Sequence, residues 1–267
     1  VKTNDFSWQT SLIYSHNRTE ITDLYNQGRV IDLVQGNGFA KQGYPARALF
    51  SIPFVGINEK GNPVCINEKG QATVGDLNFQ ERDNTDYLIY EGSTDPIYNG
   101  SLGNTFNYKG FHLNVFLTYA FGNVVRLDPA FSAKYNDLTS MTHDFKNRWM
   151  QPGDENVTNV PGVVSRYEYE QNSTLLATAY NAYNYTSVRT AKGDFIRLKE
   201  ISLAYDFPHR WFEKSPVNNI SLKLQATNLM LLYADKKLNG QDPEFMNAGG
   251  VASPMPKQFT LTLKLGL

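Results

Sequence analysis

The sequence predicts an all-β chain: an antiparallel up-and-down transmembrane β-barrel with long extracellular loops containing short helices. Three observations carry that prediction. From Lys257 to Leu267, Phe259, Leu261, Leu263, Leu265 and Leu267 alternate with Gln258, Thr260, Thr262, Lys264 and Gly266, so one face is oily and the other polar. Such a segment spans roughly 35 Å, and a tilted membrane strand needs about 9–11 residues, against about 5–6 for an average soluble strand. Taken alone, it fits a long strand of a soluble sandwich equally well. The second observation is that the same two-faced pattern recurs, giving six long strands that begin near Phe6, Tyr98, Phe111, Phe195, Ile220 and Lys257. The third is that the connections between them alternate strictly: long, two residues, long, about eleven, long. Outer-membrane barrels sort their connections by end in this way, and a soluble sandwich has no reason to.

Composition agrees. Aromatic residues make up 13 % of the chain, with 16 Tyr and 16 Phe. Mean hydropathy is −0.43, and no apolar run approaches the length of a membrane helix. That excludes a transmembrane helix but not a barrel, whose strands turn every second residue to water. A formal net charge of −1 gives no nucleic-acid footprint. The single cysteine, Cys65, has neither a disulfide partner nor a metal-ligand neighbour. The chain opens at Val1, without Met or signal peptide, and a longer protein is expected.

In order, Phe6, Trp8, Thr10, Leu12 and Tyr14 form the first apolar row, with Trp8 suited to a membrane interface or to a plain sheet core. Residues 17–95 form a long outer loop rich in Gly, Asn, Asp and Pro, in which Arg47 to Asn58 can hold one strand pair. The near-repeat Ile57-Asn-Glu-Lys-Gly61 and Ile66-Asn-Glu-Lys-Gly70 reads as two polar turns. Asp76, Glu81, Asp83, Asp86 and Asp95 lack the spacing of a calcium loop. Tyr98–Tyr108, the turn Lys109-Gly110 and Phe111–Phe121 make the clearest hairpin, with His112 on its polar face. A second loop, 122–193, predicts a helix from Asn136 or Asp137 to Trp149, and another through Ser173, Leu176, Ala179, Tyr180 and Tyr183. Strands resume at Ile201, Leu203, Tyr205 and Phe207, then at Ile220, Leu222, Leu224 and Ala226, and a third loop occupies about 233–256.

Six strands cannot stand alone in a bilayer. Both sheet edges would expose unpaired backbone groups to hydrocarbon, at several kcal/mol each. The remaining strands are expected upstream.

At this level of detail the residues resemble a known family. Gly193-Asp-Phe-Ile-Arg-Leu-Lys-Glu-Ile-Ser-Leu-Ala-Tyr-Asp-Phe-Pro208 resembles a signature strand of the SusC/RagA family of TonB-dependent outer-membrane transporters. So do Ala226-Thr-Asn-Leu229, Gly240-Gln-Asp-Pro-Glu-Phe245 and Gly249-Gly-Val-Ala-Ser-Pro-Met-Pro-Lys-Gln-Phe259, together with Asn107-Tyr-Lys-Gly-Phe111 and Arg148-Trp-Met-Gln-Pro-Gly-Asp-Glu155. Leu267 departs from the Phe that ends many barrel proteins. The resemblance implies that residues 1–267 are the C-terminal six strands of a 22-stranded barrel, with plug domain and earlier strands absent. It implies a TonB complex acting through the missing N-terminal region, a SusD-like surface lipoprotein as lid, and import of oligosaccharides or peptides from the bacterial cell outer membrane.

Solute or lid contacts are expected from the polar strand face, at Lys223, Gln225 and Lys264 beside Glu200, Thr260 and Thr262, and from loop aromatics Trp149, Tyr180, Tyr183 and Tyr185. The same aromatics suit packing of the loop on itself. No catalytic, cofactor or metal constellation is read: Asp154-Glu155 and Asp242-Pro243-Glu244 offer paired carboxylates, but the latter is more simply a turn. The alternative function is a soluble or surface-exposed glycan-binding β domain using the same Tyr- and Asn-rich loops.

Overall fold

The computed structural model describes residues 1–3, 5–136, 138, 140–246 and 255–266. Six long strands, β1 (Phe6–His16), β2 (Tyr98–Tyr108), β3 (Phe111–Phe121), β4 (Phe195–Asp206), β5 (Asn219–Ala234) and β6 (Gln258–Gly266), form one sheet. Each pairs antiparallel with the next in sequence, leaving β1 and β6 at the edges. Lys109 and Gly110, both at positive φ (45° and 86°), close the β2–β3 hairpin as the two central residues of a tight turn whose twist matches the strands. The three long connections therefore leave from one end of the sheet and the two short ones from the other.

Residues opposite one another in an antiparallel pair share a face, so the register reads out both faces. One carries the rows Trp8–Phe106–Leu113–Leu203–Leu224–Leu261 and Phe6–Tyr108–Phe111–Tyr205–Leu222–Leu263. The other carries Gln9–Thr105–Asn114–Ser202–Gln225–Thr260 and Ser7–Asn107–His112–Ala204–Lys223–Thr262. The apolar rows are uncovered: Leu12 is 68 % exposed, Leu224 56 % and Leu261 65 %. A sandwich would have buried them, and among the described residues no second sheet lies over them. Asn104 is the polar intruder on that face; its carboxamide oxygen accepts from Trp8 Nε1 (3.0 Å) and Thr10 Oγ1 (2.8 Å).

The hydrophobic core lies instead in the long connections. Helix α1 (Val30–Val34) packs Val30, Leu33 and Val34 against Ala48, Phe50, Ile52, Cys65 and Leu88. Helix α2 (Arg166–Asn184) starts at Ser165, whose hydroxyl accepts from Glu168 N at 3.1 Å, and bends at Asn172. Its residues Leu176, Ala179, Tyr180 and Tyr183, spaced to share one helical face, are buried against Phe131 and Ala133. Each fully buried side chain of this size stabilises by roughly 1.5–3 kcal/mol, so the loops are a folded layer in their own right. Arg126 pins the layer: it donates to Val34 O, Thr186 O, Phe50 O and Ser51 Oγ, joining three chain segments.

Two expectations are corrected. The segment from Arg47 to Asn58 does not pair with itself: Ala48–Ser51 pairs with Ile89–Ser93, and Phe54–Ile57 with Pro63–Ile66, which in turn pairs with Ala72–Thr73. The Asn-Glu-Lys-Gly repeats are the two turns of that three-stranded meander. Asn58 Oδ1 accepts from Lys60 N and Asn62 N, and Asn67 Oδ1 from Lys69 N and Gln71 N. Second, the helix expected from Asn136 or Asp137 to Trp149 is a short 3-10 turn, His143–Asn147, preceded by extended Thr142 (ψ 156°). The Ser- and Thr-rich run ahead of it favours non-helical backbone; Asp137 and Thr139 lie outside the described residues, as does Leu267.

Candidate functional site

The site is built where β4 breaks step. Against β3, Glu200 pairs with Phe116 and Leu198 with Leu117, so Lys199 is an extra residue on β4. Against β5 the pairing jumps from Glu200–Thr227 to Leu198–Met230, with Asn228 in the left-handed region (φ 54°) that Asn tolerates. The bulge reverses the phase of β4. Below it Ile201, Leu203 and Tyr205 take the apolar face; above it Ile196 and Leu198 do. Arg197, an odd-numbered residue like Ile201, is thereby turned to the polar face opposite Thr118.

That turn delivers Arg197 to a carboxylate. The third long connection folds back over the polar face, and Asp242 accepts two 2.6 Å bonds from Arg197 Nη2. Glu244 lies 3.1 Å from the same nitrogen. Arg197 is 3 % and Asp242 0 % exposed, a buried pair, whereas the Glu244 side chain is 42 % exposed. Asp242 Oδ1 also accepts from Glu244 N, which fixes the turn.

Beneath this turn is a cleft of about 540 Å³, within the size range of small-ligand sites. Ile13, Ser101, Phe116, Thr118 and Phe195 form its floor and Glu244 its rim. Asn123, 7 % exposed, also lines it, and its side-chain oxygen meets no donor among the described residues.

The structure separates the sequence-predicted site residues. Lys223, Gln225 and Lys264 share the polar face with Glu200, Thr260 and Thr262, opposite Thr262, Thr260 and Ser221 respectively. They sit toward the short-turn end, away from the cleft. Near them His112 bridges Asn107 (2.6 Å) and Asp206 (3.0 Å). Tyr180 and Tyr183, 1 % and 2 % exposed, are core: Tyr180 donates to Gly162 O, and the Tyr183 ring meets Phe54 and Phe131 edge-on. Tyr185 packs on the first loop against Phe79. Trp149 lies in a slot between Gly61 and Gly162, its indole N–H on Glu155 at 2.9 Å. Burial leaves neither the Tyr180 nor the Tyr183 ring a free face. The bulge and the pairing of Arg197 with Asp242 do not follow from an alternation begun at Ile201, although the Asp242-Pro243-Glu244 turn itself does stand where the sequence places it.

No family model matches the chain. Three TonB-dependent receptors of Formosa agariphila do: P39 is 22 % identical over 95 % of this chain, P3 22 % over 91 %, and P26 24 % over 99 %. The chain spans only about a quarter of their length, 27 %, 24 % and 28 % respectively. Among solved structures, the RagAB peptide transporter superposes with a TM-score of 0.68 at 20 % identity, over 99 % of this chain and 28 % of its counterpart. The 'open-open' state of the RagAB peptide importer gives the same TM-score over the whole chain.

These matches support a C-terminal fragment of a SusC/RagA-type TonB-dependent receptor. A SusC/RagA-type receptor resides in the outer membrane. The uncovered Leu and Phe rows then need no protein partner, since lipid supplies the apolar surroundings that the sheet itself lacks. The polar rows of the sheet face the other way, with the cleft on their long-loop end.

Proposed function

We propose that this chain is the C-terminal part of an outer-membrane importer, powered through TonB, that takes up oligosaccharides or peptides with a SusD-like surface lipoprotein as its lid. Its six strands are the last of a 22-stranded barrel wall, and residues 17–95, 122–193 and 233–256 are outer loops. The plug and the TonB-contacting segment belong to the N-terminal region. The observation that carries the reading is the division of labour in the fold: an amphipathic sheet whose Leu rows stay exposed, beside loops that hold the main buried clusters. A protein that worked in water would bury those rows, at roughly 25 cal/mol for each Å² removed from solvent.

In this reading no bond is made or broken. The inner face offers hydroxyls, amides and scattered charges along the strands, and these exchange hydrogen bonds with a passing solute. The folded loops narrow the outer mouth and present the surface on which the lid closes. The soluble glycan-binding alternative asks the same loops to act without a membrane, and the bare apolar face argues against it.

The test is made on the full-length receptor in its own bacterium. Deleting its gene abolishes uptake of a labelled peptide or oligosaccharide pool, and the receptor fractionates with the outer membrane. Recovery of the protein in the soluble fraction, or unchanged uptake of both pools, overturns the proposal.

A further inference from the structure

We infer that the cleft under the Asp242–Glu244 turn binds a primary ammonium group, and that the solute it admits is therefore a peptide. The inference rests on the import reading above and narrows its substrate class.

Charge comes first. Arg197 is the only cation within salt-bridge reach of Asp242 and Glu244 among the described residues, so one positive charge faces two negative ones. Asp242, fully buried and doubly bonded, takes Arg197 for itself. Glu244 keeps a partial share at 3.1 Å and stays open to solvent on the rim. Of the residues that line the cleft, Glu244 alone carries a charge at neutral pH. Among the described residues Arg197 is shared between two carboxylates, which leaves the cleft one negative charge in excess.

The orphan acceptor comes second. Asn123 is buried, lines the same cleft, and has a carboxamide oxygen without a donor. A buried acceptor left unpaired is unfavourable, and a ligand donor removes that cost. The remaining polar lining, Ser101, Thr118 and Asn99, can accept as well. A group with several N–H donors and one positive charge satisfies carboxylate, carboxamide and hydroxyl together. An ammonium group has that chemistry; a neutral sugar would leave the charge unbalanced. The Phe116 and Phe195 rings in the lining suit the apolar atoms next to the amine. The ammonium can come from a peptide's amino end or from a lysine side chain.

The experiment uses the full-length receptor, purified with its lipoprotein from outer membranes and freed of bound solute. Four probes are offered: random tetrapeptides without Lys or Arg, with free amino ends; the same pool N-acetylated; an N-acetylated pool containing Lys; and maltotetraose. Retained ligand is measured by mass spectrometry. The free-amine pool is retained at least about tenfold better than its acetylated form, as expected for one charge-assisted contact. E244Q keeps the shape of the side chain and its contact with Arg197, and it removes that preference. Retention of the lysine pool would assign the site to side-chain amines; retention of the free-amine pool alone assigns it to the amino terminus. Equal retention of all three peptide pools by the unmutated receptor overturns the inference, and that comparison needs no variant to fold. Preferential binding of maltotetraose overturns it in favour of a glycan. Either result leaves import itself standing. Failure of uptake in the gene deletion assay is a separate outcome that would remove the import reading.

Discussion

Arg197 Nη2 donates to both carboxylate oxygens of Asp242 at 2.6 Å, and neither side chain sees solvent. One residue belongs to a long strand of the six-stranded sheet and the other to a loop 45 positions downstream. The pair therefore fastens the third long connection to the sheet, and Glu244 is carried into the cleft by the same turn.

Removing Asp242 should be costly. A buried guanidinium left without its carboxylate destabilises by roughly 3–5 kcal/mol, with Glu244 at 3.1 Å recovering part of that. D242A should free the loop from the sheet and open it to added protease on intact cells, while β4 and β5 stay paired. Protease mapping of the cell-surface receptor checks this. A loop as resistant as in the unmutated protein would show that the ion pair does not hold it.

The two faces of β6 make opposite demands. Leu263 lies in a row with Leu222 and is 59 % exposed; Lys264 lies opposite Ser221 on the polar face. An arginine at mid-depth on the lipid side costs about 2–4 kcal/mol. L263R should therefore fail to reach the heat-modifiable folded state in the outer membrane, and K264L should reach it. Normal assembly of the first variant would mean that the faces have been assigned the wrong way round.

Much of this architecture was legible because the strand period survives in the residues. Leu222, Leu224 and Ala226, and Phe259, Leu261 and Leu263, state their own facing, and the tight turn Lys109-Gly110 states the hairpin. The face of α2 was legible for the same reason, from Leu176, Ala179, Tyr180 and Tyr183. What the residues of a loop pack against is set by distant partners, so the destiny of Tyr180 and Trp149 could not be told from type and spacing. The helix expected before Trp149 gives way to a 3-10 turn behind a Ser- and Thr-rich run, while the indole itself lies in a slot between Gly61 and Gly162 that residue type does not announce. The bulge was legible and went unread. Ile196 and Leu198 alternate in one phase, Ile201, Leu203 and Tyr205 in the other, and the polar pair Lys199-Glu200 marks the slip.

The loop layer also makes a chemical prediction. Cys65 is 3 % exposed within the α1 cluster, and burial pushes its thiol up to about 12 from an ordinary 9.0. The folded protein holds the thiol proton to higher pH than the unfolded chain. This contribution to stability is thus complete below about 9 and declines as pH rises through about 12. At pH 8 iodoacetamide should leave Cys65 unmodified in the native receptor and label it in concentrated urea, as read by the mass of the peptide that contains it. Rapid labelling of the native protein at that pH would place Cys65 outside the core described here.

Deleting Lys199 tests the origin of the bulge. Without the extra residue Glu200 follows Leu198 directly, and β4 alternates in a single phase through its length: Ile196, Leu198, Ile201, Leu203 and Tyr205 share the apolar face, and Arg197 stays opposite Thr118 on the polar face. Asp242 keeps its partner, so neither a stranded carboxylate nor a guanidinium turned to lipid results. The deletion variant should therefore reach the outer membrane in normal amount, with a third loop as protease-resistant as in the unmutated receptor. A protease-sensitive third loop in this variant would mean that Lys199 does more for the Arg197–Asp242 pair than absorb the change of phase.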